Sequence, residues 1–96
     1  MYQLLLKPRA ILMAKDAYSW YEIQLEGLGE SFLNELDAGY KKIVANPSYY
    51  SFLENGCRRI LLNKFPYIII YEILGKTIVV YAIFHTSRNP EKRLID

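Results

Sequence analysis

The feature that most constrains this chain is the run RRILLNKFPYIIIYEILGKTIVVYAIFH, residues 58–85. It is dense in Ile, Val, Leu and Tyr and is broken only at Phe65-Pro66 and Gly75-Lys76. Branched and aromatic side chains at this density favour pleated strands, and the two breaks divide the run into candidates Arg58–Phe65, Tyr67–Leu74 and Thr77–His85. Gly75-Lys76 suits a two-residue hairpin with glycine first. Pro66 marks a tight turn or bulge, because proline cannot donate within a ladder. Three successive strands joined this tightly predict an antiparallel sheet, and what precedes them must cover one of its faces.

Two helical patterns supply that cover. Pro8 is placed to open a helix, since a proline in the first turn forfeits no intrahelical bond. From Arg9 onward, Ala10, Met13, Ala14, Ala17 and Trp20/Tyr21 recur at helical spacing up to about Gly27. Phe32, Leu33, Leu36, Tyr40, Ile43 and Val44 form a second stripe, stopped at Asn46-Pro47. The short Gly27-Leu28-Gly29 joint implies an antiparallel helical hairpin. MYQLLL reads as a short strand ended by Lys7-Pro8, and SYYSFLENG as an aromatic loop packed on the helices. The order β-α-α-β-β-β makes this an α+β fold: a helical hairpin on one face of a mainly antiparallel four-stranded sheet.

Ninety-six residues with a 52% apolar share are enough for one domain with its own core, spanning 1–96. The single cysteine, Cys57, excludes an intramolecular disulfide and fits a reducing compartment. No apolar stretch approaches a membrane span, and Lys7, Pro8 and Arg9 interrupt anything resembling a signal peptide. We therefore expect a cytoplasmic protein with no membrane partner. The net charge of +2 is uneven: residues 1–55 carry five Lys/Arg against seven Asp/Glu, and residues 56–96 carry seven against three. The C-terminal part thus faces anions better than the rest, though mildly.

Few residues can carry chemistry. His85 is the only histidine and stands at the end of the last strand, where an imidazole can act as acid or base at neutral pH or simply satisfy backbone groups. Arg88 follows it. Arg58 and Arg59 open the first strand of the sheet and Lys64 lies near its end; neighbours in a strand point to opposite faces, so only one of the two arginines can join a cluster on the open face. Such a cluster suits phosphate, or is a set of solvated rim charges. With one histidine and one cysteine, no metal-ligand spacing is present, and no cofactor motif is found. Glu22, Glu26 and Glu30 read as a solvated edge.

Taken in order, AKDAYSWYE, GLGESFLNELD, IVANP and RRILLNKFPYIIIYEILGKTIVVYAIFHTSRNP resemble the RelE/ParE superfamily of type II toxin–antitoxin toxins, over roughly Pro8 to Pro90. The carrying pieces are Trp20-Tyr21-Glu22, Gly27-x-Gly29, Asn46-Pro47, Arg58-Arg59, Phe65-Pro66-Tyr67 and His85-x-x-Arg88-x-Pro90. The resemblance implies the same fold and a growth-inhibiting toxin, of the kind called plasmid stabilisation proteins, held inactive in a hetero-oligomer with a cognate antitoxin. ParE-like members block DNA gyrase, and RelE-like members cut mRNA in the ribosomal A site as mRNA interferases. For a nuclease the resemblance implies His85 as the proton-transfer group, with Arg59 and Arg88 on the phosphate. Two positions where such nucleases carry cations correspond here to Leu61 and Ile68, which cannot stabilise a phosphorane. The expectation is therefore a ParE-like toxin in which Arg58, Arg59, Lys64, His85 and Arg88 face the target or the antitoxin. The ribosome-dependent nuclease is the alternative, and a protein-binding remnant without toxicity a further one.

Overall fold

A computed structural model describes residues 1–87, and the expected order holds: β1 (Gln3–Leu6), α1 (Pro8–Gln24), α2 (Leu28–Ala45), β2 (Cys57–Leu61), β3 (Tyr67–Leu74) and β4 (Thr77–His85). The strands form one sheet in the order β1-β4-β3-β2. β2, β3 and β4 are antiparallel neighbours, whereas β1 runs parallel to β4. The helical hairpin is therefore the crossover that lifts the chain off the sheet, and the result is a mixed sheet with three of its strands antiparallel.

Gly75, with φ +63°, turns β3 into β4, and Lys76 does not share its positive φ. That is the glycine-first turn whose twist matches the flanking strands. β2 is shorter than Arg58–Phe65 because its end is diverted. The Asn63 amide donates to the Glu35 carboxylate on α2 at 3.0 Å, and Phe65 turns inward onto Tyr21 and Phe32. Pro66 closes this loop, and its carbonyl accepts from the Thr86 amide just beyond β4.

One face of the sheet packs on the helices. Ile60, Tyr67, Ile69, Tyr71, Ile78, Val80 and Ile83 meet Ala10, Ala17, Tyr21, Phe32, Leu36 and Ile43 there. Gly39 lets α2 approach the sheet closely, since a Cβ on it would lie 2.9 Å from the Ile69 side chain. Glu22, expected to be a solvated edge, is a helix cap. Its two oxygens accept from the Gly27 amide at 2.9 Å and the Gly29 amide at 2.8 Å, satisfying donors that the start of α2 leaves open.

Cys57, Ile68, Ile70, Ala82 and Phe84 form a second buried cluster on the opposite face. In β4, Tyr81 is an extra residue relative to β3: Tyr71 pairs with Val80 and Ile70 with Ala82. This bulge places Tyr81 and Ala82 on the same face, where the Tyr81 hydroxyl donates to the Glu72 carboxylate at 2.7 Å. Tyr71 is fully buried and donates to the Pro47 carbonyl at 2.7 Å, tying the end of α2 to the sheet.

Three phenols are held neutral by these surroundings. Tyr81 is pushed up to about 12, first by its bond to Glu72. Tyr71 and Tyr40 are also pushed up to about 12, first by burial. The unfolded chain releases these protons near 10 and the folded chain keeps them to about 12, so folding stability should fall as pH rises through that window. Urea unfolding at pH 9, 10.5 and 11.5 reads this directly. Replacing Tyr71 by Phe should flatten the fall, and an unchanged slope in that variant would contradict the assignment.

Candidate partner-binding surfaces

Among the described residues, Arg58, Arg59 and His85 do not converge. Arg58 lies on the helix side of β2, donating to the Ser48 carbonyl at 3.1 Å and the Tyr50 carbonyl at 2.7 Å. Its guanidinium also sits 4.0 Å from the centre of the Phe52 ring. It clamps the segment between α2 and β2, which packs Tyr50 against the helix-side core and also folds back along the edge of β2. Asn55 and Gly56, both with positive φ, make the turn. Leu53 then bonds to Cys57, and the Arg59 amide to the Ser51 carbonyl.

Charged-donor bonds of this kind contribute about 1.5–3 kcal/mol each when half-buried. Arg58→Ala should therefore loosen residues 48–53 and speed hydrogen exchange at the Arg59 amide by at least about tenfold. Lys should not restore protection, because it cannot reproduce the planar fork. Wild-type exchange in the alanine variant would show that the clamp is not needed.

Arg59 points to the opposite face and is exposed, as the alternation along a strand requires. Lys64 is exposed in the β2–β3 loop. Arg88 lies outside the described residues. His85 pairs with Tyr67 across the β3–β4 ladder and so shares its helix-side face; the two rings meet edge to face with centroids 5.1 Å apart. The Ser87 amide donates to His85 Nδ1 at 3.1 Å, which assigns the proton of the neutral ring to Nε2.

Arg59 and His85 are thus on opposite faces of the sheet. They are two strands and three residues apart, roughly 14 Å at ordinary strand spacings. On the Arg59 face Leu61 stands opposite Ile68 and Ile68 opposite Phe84; Ile68 and Phe84 are buried there, and of the three only Leu61 is exposed. Among the described residues no three His, Cys, Asp or Glu side chains gather as a metal site. Cys57 is 1% exposed, and burial, with Glu72 and Glu54 nearby, pushes its thiol up, away from the reactive thiolate.

Two concave surfaces stand out. An apolar groove of about 250 Å³ runs between the helices, lined by Leu6, Ile11, Ala14, Tyr18, Leu33 and Tyr40. Tyr40 also borders a neighbouring depression of about 340 Å³ with Leu4 and Val44. The other surface is a larger, more polar depression of about 690 Å³ between the end of α2 and the edge of β2, where Lys42, Tyr49, Arg59, Leu61 and Asn63 come together. Of these, reasoning from sequence had offered only Arg59 as a contact. Lys42 and Tyr49 were not singled out. The missed signal was Asn55-Gly56, a strong hairpin dipeptide that brings Tyr49 and Ser51 against β2.

The family described as the ParE toxin of the type II toxin–antitoxin system parDE matches residues 4–90. No curated protein matches the sequence. Among solved structures, the chain is similar to a chain of the chromosomal ParDE toxin–antitoxin system from P. aeruginosa, with a TM-score of 0.76 and 22% identity over 91% of this chain and 98% of that one. It is also similar to a chain of the intact E. coli RelBE toxin–antitoxin complex, with a TM-score of 0.69 and 17% identity over 92% and 100%. The isolated E. coli RelE toxin follows, with a TM-score of 0.67 and 16% identity over 96% and 92%. At these identities the structural likeness is one of fold.

Proposed function

The chain belongs to the ParE toxins of type II toxin–antitoxin systems, and from that premise we propose that it arrests growth by binding a protein target, DNA gyrase, without cutting RNA. The observation that carries this reading is the placement of Arg59 and His85 on opposite faces of the sheet, with the uncharged Leu61, Ile68 and Phe84 across the Arg59 face. Cleavage by a ribose 2′-OH needs cations around a charged phosphorane and a proton-transfer group within hydrogen-bond reach of the same atoms. Arg59 and His85, as placed, cannot serve one phosphate together. Leu61, exposed beside Arg59, offers apolar surface that suits contact with protein.

A cognate antitoxin neutralises the toxin in a hetero-oligomer. The apolar groove between α1 and α2 fits its amphipathic helix, because long-lived partners bury mainly apolar surface. Both partners place the toxin in the cytoplasm. No helix among the described residues is long and apolar enough to cross a membrane.

His85→Ala separates this reading from a ribosome-dependent mRNA endonuclease. On the binding reading the variant still arrests growth when induced without antitoxin, and a translating extract keeps its mRNA intact with either protein. Loss of arrest in a folded His85→Ala variant, together with mRNA cleavage by the wild type, would replace gyrase by the ribosome as the target.

A further inference from the structure

The outer edge of β2 is an open docking template. The Leu62 amide bonds to the Tyr67 carbonyl across the β2–β3 ladder, so Ile60 and Arg58 also turn their amides toward β3, while Cys57, Arg59 and Leu61 turn theirs outward. Ser51 takes the Arg59 amide. Past that point β2 is the last strand of the sheet, and the Arg59 carbonyl and both backbone groups of Leu61 face the 690 Å³ depression. Leu61 is itself 58% exposed. Unpaired groups on an edge strand are a ready site for a further strand, and here the side chains around them select its chemistry. Among the described residues, Lys42 and Arg59 are the charged ones lining the depression, with no carboxylate beside them, and Tyr49, 75% exposed, forms one wall.

We propose that this edge is where the toxin grips its inhibited target, by adding an extended, acidic segment of the target protein beside β2 at Arg59–Leu61. Backbone bonds to Leu61 would hold the segment, its carboxylates would meet Lys42 and Arg59, and an apolar side chain would lie on Leu61 and Tyr49. The assignment rests on the binding-toxin reading above. It favours the target over the antitoxin because reversible recognition uses polar, directional surfaces, whereas a long-lived cognate partner suits the apolar groove between the helices.

The test compares wild type, the double variant Lys42→Glu/Arg59→Glu, and Leu61→Pro. The last removes an outward amide, which an edge strand tolerates, together with the exposed Leu61 side chain, and should weaken both growth arrest and gyrase inhibition. Each is scored for growth arrest on induction, for inhibition of purified gyrase, and for co-purification with the cognate antitoxin, with circular dichroism melts to verify folding. The double variant should lose growth arrest and inhibit at least about tenfold more weakly, with wild-type inhibition weakening as salt rises. Antitoxin capture should be unchanged in both variants. Wild-type arrest by the folded double variant would overturn the assignment, and parallel loss of antitoxin capture would hand the edge to the antitoxin and overturn it equally. A wild type that arrests growth but leaves gyrase untouched removes gyrase as the target, while the growth assay still decides the edge. A wild type that arrests nothing would sink the toxin reading, and this inference with it.

Discussion

Replacing Gly29 by Ala should lower the melting temperature by roughly 10–25 °C, although alanine is the better helix former. A Cβ on Gly29 would stand 2.6 Å from Glu22 Oε1, 2.7 Å from Tyr18 Cδ1 and 2.7 Å from the Tyr18 carbonyl oxygen. The last of these is backbone and cannot swing aside, so the two helices must separate. Overpacking of this kind costs about 1–3 kcal/mol, and pushing Glu22 off the Gly29 amide costs about 1.5–3 more. The gain in helix propensity returns only about 1 kcal/mol. The net loss is about 1.5–5 kcal/mol, and its middle, about 3 kcal/mol, corresponds to that fall in a domain of this size. Gly27→Ala is the informative control: it meets no atom within 4 Å but must hold φ +89°, a strain of about 1–2 kcal/mol. A drop of only a few degrees in Gly29→Ala would show that the helices part easily and that the Glu22 cap is dispensable.

Phe32→Ala should be more damaging still. Phe32 is fully buried where the helical hairpin meets the sheet. Its ring packs at 5.5 Å from Tyr21, 5.4 Å from Phe65 and 5.1 Å from Tyr67, and Tyr67 in turn carries His85. Removing such a ring costs about 3–5 kcal/mol through lost transfer energy and the cavity left behind. Against a total stability of about 5–15 kcal/mol, that leaves a protein poorly populated at growth temperature. Induced Phe32→Ala should therefore fail to arrest growth although every surface residue is retained, with soluble yield falling in step. Phe32→Leu should recover most of both. Full arrest by the alanine variant would mean that the aromatic cluster is not what holds the fold together.

Most of the architecture was readable because the decisive patterns are local. The stripe through Phe32, Leu36 and Ile43, the stop at Asn46-Pro47 and the glycine-first turn at Gly75 each act through the backbone of a few neighbouring residues. What escaped depends on contacts between distant residues. Glu22 looked like a solvated carboxylate because its partners, the Gly27 and Gly29 amides, appear only once α2 starts there. β2 ended early because Glu35, twenty-eight positions before Asn63, takes that residue's amide. The parallel pairing of β1 with β4 leaves no mark in MYQLLL. At the candidate site, alternation correctly separated Arg58 from Arg59, and burial then gave Arg58 a structural task. The 690 Å³ depression needed Lys42, Tyr49 and Leu61 brought together from α2, a loop and β2, which no single window of sequence displays.

The central claim is that this ParE family member binds and does not cut. DNA supercoiling by purified gyrase in the presence of the purified toxin tests it most directly. The account predicts that supercoiling is blocked in proportion to toxin added and that His85→Ala blocks it equally well. Supercoiling that proceeds undisturbed at saturating toxin, from a preparation that still arrests growth, would contradict it.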